Sequence, residues 1–316
     1  MIKSKRKGQT MYFTGFADEA SSGIAGQIAA TKELGWNYIE SRAVNGTNLH
    51  NLSDEEFDKV CEALSAAGIK VNCFGSTIAN WSFDPFKEED FQTNLVNLDR
   101  AIKRMHVLGT KMIRGMSFFW QQERPPFDPE VEAQVFKKVN DLVKRCEDGG
   151  VIYLHENCMN YGGQSYKHTL KLLDHVKSPN FKLVFDTGNP VTAPCRIGDA
   201  PYKRQDSFEF YKNVREFIHY IHIKDFQPKD LVNFSSEGTF CYPGEGLAQI
   251  PEIMYDLFKH GYDGGISIEP HMATVYHDAD SQKNMDNEKA AKIYIEYGRR
   301  MMKIVEDAKA KIARGE

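Results

Sequence analysis

The chain has 316 residues, of which 41% are hydrophobic, 27% charged and 12% aromatic, as in a globular protein rather than a disordered one. Its 40 lysines and arginines face 44 aspartates and glutamates, a formal net charge of -4, which argues against a general nucleic-acid binder. No apolar run has the roughly 18 to 20 residues of a membrane span, and no signal-peptide apolar region follows the basic opening at residues 1–7. We therefore expect a cytoplasmic protein without nucleic-acid or membrane partners.

Short β-rich segments alternate with helical patterns along the whole chain, as in repeated βα units around a parallel sheet. The predicted strands are 11–16, 37–41, 70–74, 111–114, 151–156, 182–186, 218–223 and 265–269. The predicted helices are 25–34, 55–67, 91–108, 130–146, 169–176, 207–216, 250–259 and 287–310.

Eight such units predict an α/β fold, a single (β/α)8 TIM barrel over residues 1–316, with residues 1–10 as a flexible N-terminal extension. A doubly wound open sheet is the alternative, but no GxGxxG phosphate motif follows the first strand. Two long connections, 115–129 and 226–247, follow the fourth and seventh strands. Both are therefore expected at the catalytic face, as walls or lids.

Groups able to bind a hard metal ion stand at the ends of four successive predicted strands. They are Glu156, Asp186, His222 and Glu269. A barrel gathers such strand ends at its C-terminal face, and three buried carboxylates without a cation would be costly. Three carboxylates and one imidazole favour Mn²⁺ or Mg²⁺, with Co²⁺ or Zn²⁺ possible through the histidine, and manganese is our first choice.

Several motifs together carry a family resemblance. They are Glu156-Asn157, Asp186 with Gly188, His222-x-Lys224-Asp225, the PGEG turn at 243–246, and Gly-Tyr-Asp-Gly at 261–264 before Ile268-Glu269. On these motifs the chain resembles the xylose-isomerase-like TIM barrels, the sugar isomerase/epimerase superfamily that includes ketose 3-epimerases and inosose-processing enzymes. The resemblance implies that the four strand-end residues are metal ligands, that Glu156 and Glu269 also transfer protons, and that the protein is a homo-oligomer.

The chain also resembles the alpha subunits of bacterial C-glycoside deglycosidases, which cleave 3-oxo-glycosides by β-elimination. That branch implies a hetero-oligomer with a smaller subunit. Both branches imply a small carbohydrate or glycoside as the substrate.

The expected chemistry passes through an enediolate. A metal ion on a carbonyl oxygen and a neighbouring hydroxyl stabilises that intermediate, so Glu156 or Glu269 can remove the adjacent hydrogen. Return of the proton to the other face gives epimerisation, and return to the neighbouring carbon gives isomerisation. Loss of a β-substituent gives elimination, and the sequence leaves these outcomes open.

Further candidates lie near the same strand ends. Lys224 could offer a cation to a developing oxyanion, and His155 could act as an extra acid or base. Substrate contacts are expected from Arg114 and from His271, which follows the last strand, and Trp120 could stack on a sugar or an aryl aglycone. Asn189 stands where many relatives carry a histidine that binds a substrate hydroxyl. The structural alternatives are a core histidine for His155, a salt bridge for Arg114 and a loop anchor for Trp120.

Two other functions are weighed against a sugar-modifying enzyme. One is a metal-dependent phosphodiesterase similar to endonuclease IV, which would need more imidazole ligands and a basic groove. The other is a non-catalytic sugar-binding barrel.

Overall fold

The computed structural model describes residues 11–273 and 285–316, so the predicted extension at 1–10 lies outside the described residues. Within those ranges, eight parallel strands form the main sheet. They are β1 (Tyr12–Gly15), β2 (Tyr38–Ser41), β3 (Lys70–Ile78), β4 (Met112–Gly115), β5 (Ile152–Glu156), β6 (Phe181–Asp186), β7 (Ile218–Ile223) and β8 (Gly265–Ile268). The predicted TIM barrel is confirmed, whereas a single domain over all of 1–316 stays a prediction.

Helices alternate with these strands. They are α1 (Ile24–Glu33), α2 (Asp54–Ala67), α3 (Glu88–Leu108), α4 (Pro129–Asp148), α5 (Tyr166–His175), α6 (Ser207–Val214), α7 (Ile250–Lys259) and α8 (Asn287–Ala313). β1 pairs with β8, and each later strand pairs with its chain neighbour. A parallel bridge from Phe16 to Glu40 joins the β1 and β2 ends and nearly closes the barrel.

Local sequence signals set several helix starts. The Ser53 side chain accepts the backbone N–H of Glu56, whose carboxylate accepts the backbone N–H of Ser53, so α2 begins with a capping box. Asp128 accepts the N–H groups of the first turn of α4, and Pro129 occupies its first helical position. These caps orient helices whose apolar sides pack on the barrel.

The barrel interior holds a small apolar cluster of its own. It consists of Cys73, Leu154, Val184 and Tyr220, with Met112 and Ile152 packed against it. Because side chains alternate along a strand, the next inward positions towards the C-terminal strand ends are Glu156, Asp186 and His222. The metal-binding candidates therefore stand on top of this cluster.

The structure departs from the prediction at two connections. The segment after β7 contains a hairpin in which Asp225–Pro228 pairs antiparallel with Gly238–Cys241, and a shorter hairpin, Ala43–Val44 with Thr47–Asn48, follows β2. β3 also runs four residues beyond the predicted end, because its pairing with β4 shifts register after Gly75 and continues at Ile78. Such short paired segments carry too few residues for a clear alternation of apolar and polar side chains.

Asp225 organises the longer hairpin and the turn behind it. Its two carboxylate oxygens accept the backbone N–H groups of Phe226, Gly244, Gly246 and Ala248 at 2.8–3.0 Å. The PGEG turn is thereby fixed to the end of β7.

Candidate metal centre

Four buried residues at successive strand ends offer one ligand atom each, and these atoms all lie within 4.8 Å of one another. They are Glu156, Asp186, His222 and Glu269. Parallel pairing sets Asp186 opposite His222, and the N–H of Glu269 donates to the carbonyl of Ile223 at 2.9 Å. The barrel topology thus brings together residues that are far apart in sequence.

The His222 ring lies between carboxylates. Its Nδ1 is 3.1 Å from Oε1 of Glu156 and 4.0 Å from Oε2 of Glu269. Its Nε2 is 3.0 Å from Oε2 of Glu40 on β2. Burial alone would lower the pKa of His222, but Glu40 and Glu156 outweigh it and raise that pKa to about 10.

Buried cations hold the two glutamates. Arg114 donates to Glu156 at 3.2 Å, and Arg42 donates to Glu269 at 3.1 Å. Burial would raise the pKa of each glutamate, but these neighbours dominate. Arg114 and His222 lower the pKa of Glu156 to about 2, and Lys224, His271 and Arg42 hold the pKa of Glu269 well below its usual range.

Asp186 differs from the two glutamates. Burial raises its pKa to about 7 despite Lys224, and the charges of Glu269 and Glu156 add to that rise. Its Oδ1 accepts the N–H groups of Gly188 and Asn189 at 2.8 and 2.6 Å. Its Oδ2 accepts no hydrogen bond from the described residues and lies 3.2 Å from Nζ of Lys224.

This donor set fits a divalent cation. Three carboxylates and an imidazole offer ligand atoms within 4.8 Å of one another, and the buried Oδ2 of Asp186 accepts no hydrogen bond from the described residues. A divalent cation would offset the burial of Asp186 and its repulsion from the two glutamates, which together raise its pKa. Hard oxygen donors with one nitrogen suit Mn²⁺, Mg²⁺ or Zn²⁺.

A cavity of about 550 Å³ opens above these residues. Charged groups form its floor, and Trp81, Met159, Phe226 and Phe240 contribute apolar surface to its walls. Asn189 also lines the cavity, and its Nδ2 donates to none of the described residues. A polyhydroxylated ligand in this cavity would meet charged and amide groups as well as aromatic rings.

Most of the site residues predicted from sequence meet in this cavity. Its lining includes Glu156, Glu269, Lys224, Asn189, His271 and Arg114. Asp186 and His222 lie fully buried next to the glutamates. His155 and Trp120 are not brought to the cavity.

His155 faces the opposite side of β5 from Glu156, because neighbouring residues of a strand point to opposite faces. Its Nε2 is 3.0 Å from Oγ of Ser117, and its ring lies 5.9 Å from that of Phe181. Burial lowers the pKa of His155 to about 4, so the ring is neutral. The structure places His155 away from the cavity, in the surroundings of a core histidine, so its role as an acid or base stays a prediction that this placement does not support.

Trp120 is also buried and does not line the cavity. The neighbouring Phe119 is tied to the connection after β5 by an antiparallel bridge to Asn160, so this aromatic run anchors a loop on the core. Trp81, which follows β3, takes the predicted place of Trp120 in the cavity wall. The substrate contact of Trp120 stays a prediction that this placement does not support.

Three acidic residues escaped the sequence analysis. Asp18 and Glu19 follow β1 and bind Arg42 at 3.0 Å, and Glu40 lies within β2, fully buried. A search for acidic residues directly after each predicted strand, which identified the other carboxylates, would also have identified Asp18 and Glu19. Glu40 could have been noticed as a charge inside an otherwise apolar strand.

A second acidic group adjoins the first. Glu19, Glu269 and His271 also offer ligand atoms within 4.8 Å of one another. Here the guanidinium of Arg42 already lies 3.0 Å from Glu19 and 3.1 Å from Glu269. The charge of Arg42 therefore compensates the carboxylates of this second group, and Arg42 holds Glu269 in position.

A family model described as "Xylose isomerase-like TIM barrel" matches residues 28–300. The chain belongs to this family. The predicted resemblance is thereby confirmed. In the described part of the chain, we find no helix with the length and apolar character needed to cross a membrane.

Known proteins similar to this chain include an inosose dehydratase of Mesomycoplasma hyopneumoniae (strain 7448). It is 23% identical over 265 residues, which cover 75% of this chain and 83% of that protein. Among solved structures, the IOLI protein with a bound zinc atom superposes with a TM-score of 0.68 at 16% identity, covering 94% of this chain and 99% of that one. The 3-keto-D-glucoside 4-epimerase YcjR from E. coli gives 0.61 at 16% identity, with 92% and 99% covered. At these identities the two structures show the fold alone.

Proposed function

We propose that this protein is a divalent-metal-dependent enzyme that removes a proton next to the carbonyl group of an oxo-sugar or oxo-cyclitol. The observation that carries the proposal is the buried set Glu156, Asp186, His222 and Glu269, two of whose carboxylates also line the cavity. The reaction ends in epimerisation or isomerisation, or in β-elimination.

The relatives support this class of substrate. One relative is named an inosose dehydratase, and an inosose is an oxo-cyclitol. One structural neighbour is named a 3-keto-D-glucoside 4-epimerase. Both names describe carbonyl-bearing carbohydrates or cyclitols. A carbonyl is what makes the neighbouring C–H acidic enough for a carboxylate base.

The metal ion would be held by the four strand-end residues, and we favour Mn²⁺ because three of the four donors are carboxylates. When bound, a divalent ion supplies Lewis-acid polarisation of a carbonyl and its neighbouring hydroxyl. A structural neighbour holds zinc, so Zn²⁺ is the alternative to test.

The two glutamates would perform the proton transfers. Both are kept ionised by neighbouring cations, Glu156 by Arg114 and Glu269 by Lys224 and Arg42. An ionised carboxylate within reach of the substrate carbon accepts its proton. For epimerisation, the second glutamate would first take up a proton from solvent and then deliver it to the opposite face of the same carbon. Epimerisation needs such a pair, whereas elimination needs one base and a leaving group.

Two further residues would orient the substrate. Lys224, with Nζ 3.1 Å from Glu269 Oε2, places positive charge beside the position where an oxyanion would develop. Asn189 offers the amide of its side chain to a hydroxyl. A phosphodiesterase is disfavoured because the four-residue set contains one imidazole and three carboxylates.

The test is proton NMR in D₂O. The Mn²⁺-loaded protein is incubated with ketohexoses, inososes and 3-oxo-glucosides with O- and C-linked aglycones, and the metal is stripped before recording. Deuterium next to a carbonyl is the expected result. New sugar signals then mean an isomerase or epimerase, whereas an unsaturated product or a free aglycone means elimination.

The controls separate the site from general effects. Glu156→Gln and Glu269→Gln should both lose exchange, whereas Glu62→Gln, at an exposed position on α2, should retain it. Exchange at the wild-type rate in both cavity variants would overturn the assignment of the bases. The absence of exchange with every substrate of the panel would count against an oxo-sugar enolising enzyme.

A further inference from the structure

Three hydrogen bonds converge on one oxygen of Glu40, a residue of β2 that is fully buried. Oε2 of Glu40 lies 3.0 Å from Nε2 of His222 and accepts the hydroxyls of Tyr220 at 2.8 Å and Ser267 at 2.7 Å. Oε1 has no hydrogen-bond partner among the described residues. The carboxylate is therefore oriented towards β7 and β8 through a single oxygen.

Aromatic contacts fix the plane of the His222 ring independently. Phe16 meets it nearly edge-on at 5.0 Å between ring centres, and Tyr220 does so at 5.5 Å. With the plane fixed, a flip of the ring by 180° about its Cβ–Cγ bond would put carbon atoms Cδ2 and Cε1 in the places of Nδ1 and Nε2. The flipped ring would lose the contact of Nε2 with Glu40 and that of Nδ1 with Glu156.

We propose that Glu40 is a positioning residue for the metal centre: it holds the N–H of His222 at Nε2 and so presents Nδ1 as the ligand atom. A neutral imidazole carries its proton on one nitrogen, and the hydrogen bond made by one nitrogen decides which is free to bind a metal. Nδ1 is the nitrogen that faces the other candidate ligands, Glu156 and Glu269.

The placement of Glu40 favours this role over simple support of the core. A buried carboxylate is costly unless it is paired with a charge or satisfied by donors. A neutral acceptor would satisfy the Tyr220 and Ser267 hydroxyls equally well. Among the three groups bonded to Oε2, only the imidazole gains from a carboxylate, because a negative acceptor strengthens the hydrogen bond from Nε2 and makes the other nitrogen a better ligand.

The position of Glu40 in the barrel supports the same conclusion. Glu40 lies at a register shift in the pairing of β2 with β3, and Phe16 pairs with it where β1 meets β2. Register shifts of this kind re-aim side chains beside functional sites. The contact between β1 and β2, where the barrel closes, thus places the carboxylate of Glu40 next to His222.

The inference rests on the metal site proposed above, and its test measures metal binding rather than turnover. Zn²⁺ is titrated into the full-length protein in competition with a chelator. In a second measurement, ¹⁵N-histidine NMR of the Zn²⁺-loaded protein reports which nitrogen carries the proton. The His222 signals are assigned by their absence in His222→Gln.

Three variants distinguish positioning from core support. Glu40→Leu removes the acceptor, and Glu40→Gln keeps an acceptor oxygen without the charge. Tyr220→Phe removes another donor to the same oxygen and keeps the ring that packs against His222. We expect Glu40→Leu to weaken Zn²⁺ binding by about 10- to 100-fold, the usual effect of losing such a partner. Glu40→Gln should lose less Zn²⁺ affinity than Glu40→Leu. Tyr220→Phe should lose less than about 3-fold, because the large loss is expected only when the hydrogen-bond partner of the metal-binding histidine is removed.

The wild-type spectrum should show the proton on Nε2 and the metal on Nδ1. The opposite tautomer, or unchanged Zn²⁺ affinity in a folded Glu40→Leu, would overturn the inference while leaving the metal site intact. If Glu40→Leu does not fold, unchanged affinity in Glu40→Gln overturns it instead. Failure of the wild type to bind Zn²⁺ would instead overturn the metal site, and the role of Glu40 with it.

Discussion

The guanidinium of Arg114 donates to the carboxylate of Glu156 across 3.2 Å, and both side chains are almost entirely shielded from solvent. Two further donors of Arg114, a residue of β4, bind the carbonyl of Ser76 at 3.1 and 3.3 Å, so the guanidinium is fixed to β3. Its centre also lies 4.9 Å from that of the Phe16 ring. Arg114 therefore holds the carboxylate of Glu156 in place and in its charged state.

Replacement of Arg114 should uncouple this pair. Arg114→Met leaves Glu156 buried with less compensating charge, which raises its pKa and should lower the free energy of unfolding by about 3 to 5 kcal/mol. Urea denaturation measures the loss. The control Arg145→Met breaks the exposed pair with Asp99 and should cost less than about 1 kcal/mol. Equal losses in the two variants would show that Arg114 is not a buried structural cation.

Metal binding should stabilise the fold through Asp186. With Mn²⁺ at about 100 times its dissociation constant, the free energy of unfolding should rise by about 2.7 kcal/mol. Asp186→Asn removes a charged ligand and should abolish most of this gain. Asp58→Asn, exposed on α2, should keep the full gain. Chemical denaturation with and without Mn²⁺ measures the effect, and a full gain in Asp186→Asn would place the ion elsewhere.

Acid should destabilise the protein through His50. This histidine is fully buried, and burial, with Arg100 and Arg104, lowers its pKa from 6.5 to about 4. The unfolded chain therefore binds a proton at higher pH than the folded chain does. The contribution of neutral His50 to the free energy of unfolding is fully present above pH 6.5. It is lost as the pH falls towards 4, and the loss is at most about 3 kcal/mol.

The free energy of unfolding measured from pH 7 to pH 4 tests the direction of this pH dependence. His50→Leu should flatten the decline, because leucine takes up no proton. Phe74→Leu, which changes a ring near that of His50 but removes no titrating group, should shift the curve down without changing its slope. A slope in His50→Leu equal to that of the wild type would contradict the prediction.

The cavity wall formed by the long hairpin should depend on Gly246. A Cβ there would clash with Oδ1 of Asp225 and would lie 2.6 Å from the carbonyl oxygen of Phe226. Gly246→Ala should therefore displace the PGEG turn, lowering the free energy of unfolding by about 1 to 3 kcal/mol and raising KM for the substrate identified by deuterium exchange.

The matched control is Gly23→Ala. A Cβ at Gly23 would find only Asn45, at an ordinary 3.6 Å, and the backbone φ of Gly23 is -92°. This variant should change stability by less than about 0.5 kcal/mol and leave KM unchanged. Equal behaviour of the two alanine variants would show that the turn tolerates a side chain.

The sequence by itself determined the barrel and most of its metal-binding candidates. Eight βα units fix the order of the strands, and parallel strands in a barrel bring their C-terminal ends to one face. Glu156, Asp186 and His222 stand at the last or next-to-last residue of β5, β6 and β7, so topology alone predicted their meeting. The alternation of side chains along each strand also predicted that they would face inward.

Only the tertiary structure decided which side chains contact one another. His155 neighbours Glu156 in sequence, yet alternation sends it to the outer face, where Ser117 binds it. Trp81 replaces Trp120 in the wall because the fold of a loop decides which ring faces the cavity. Glu40 contacts His222 although the two residues are 182 positions apart in sequence, because the barrel closes and brings β2 near β7. Closure depends on long-range contacts, which no local sequence pattern predicts.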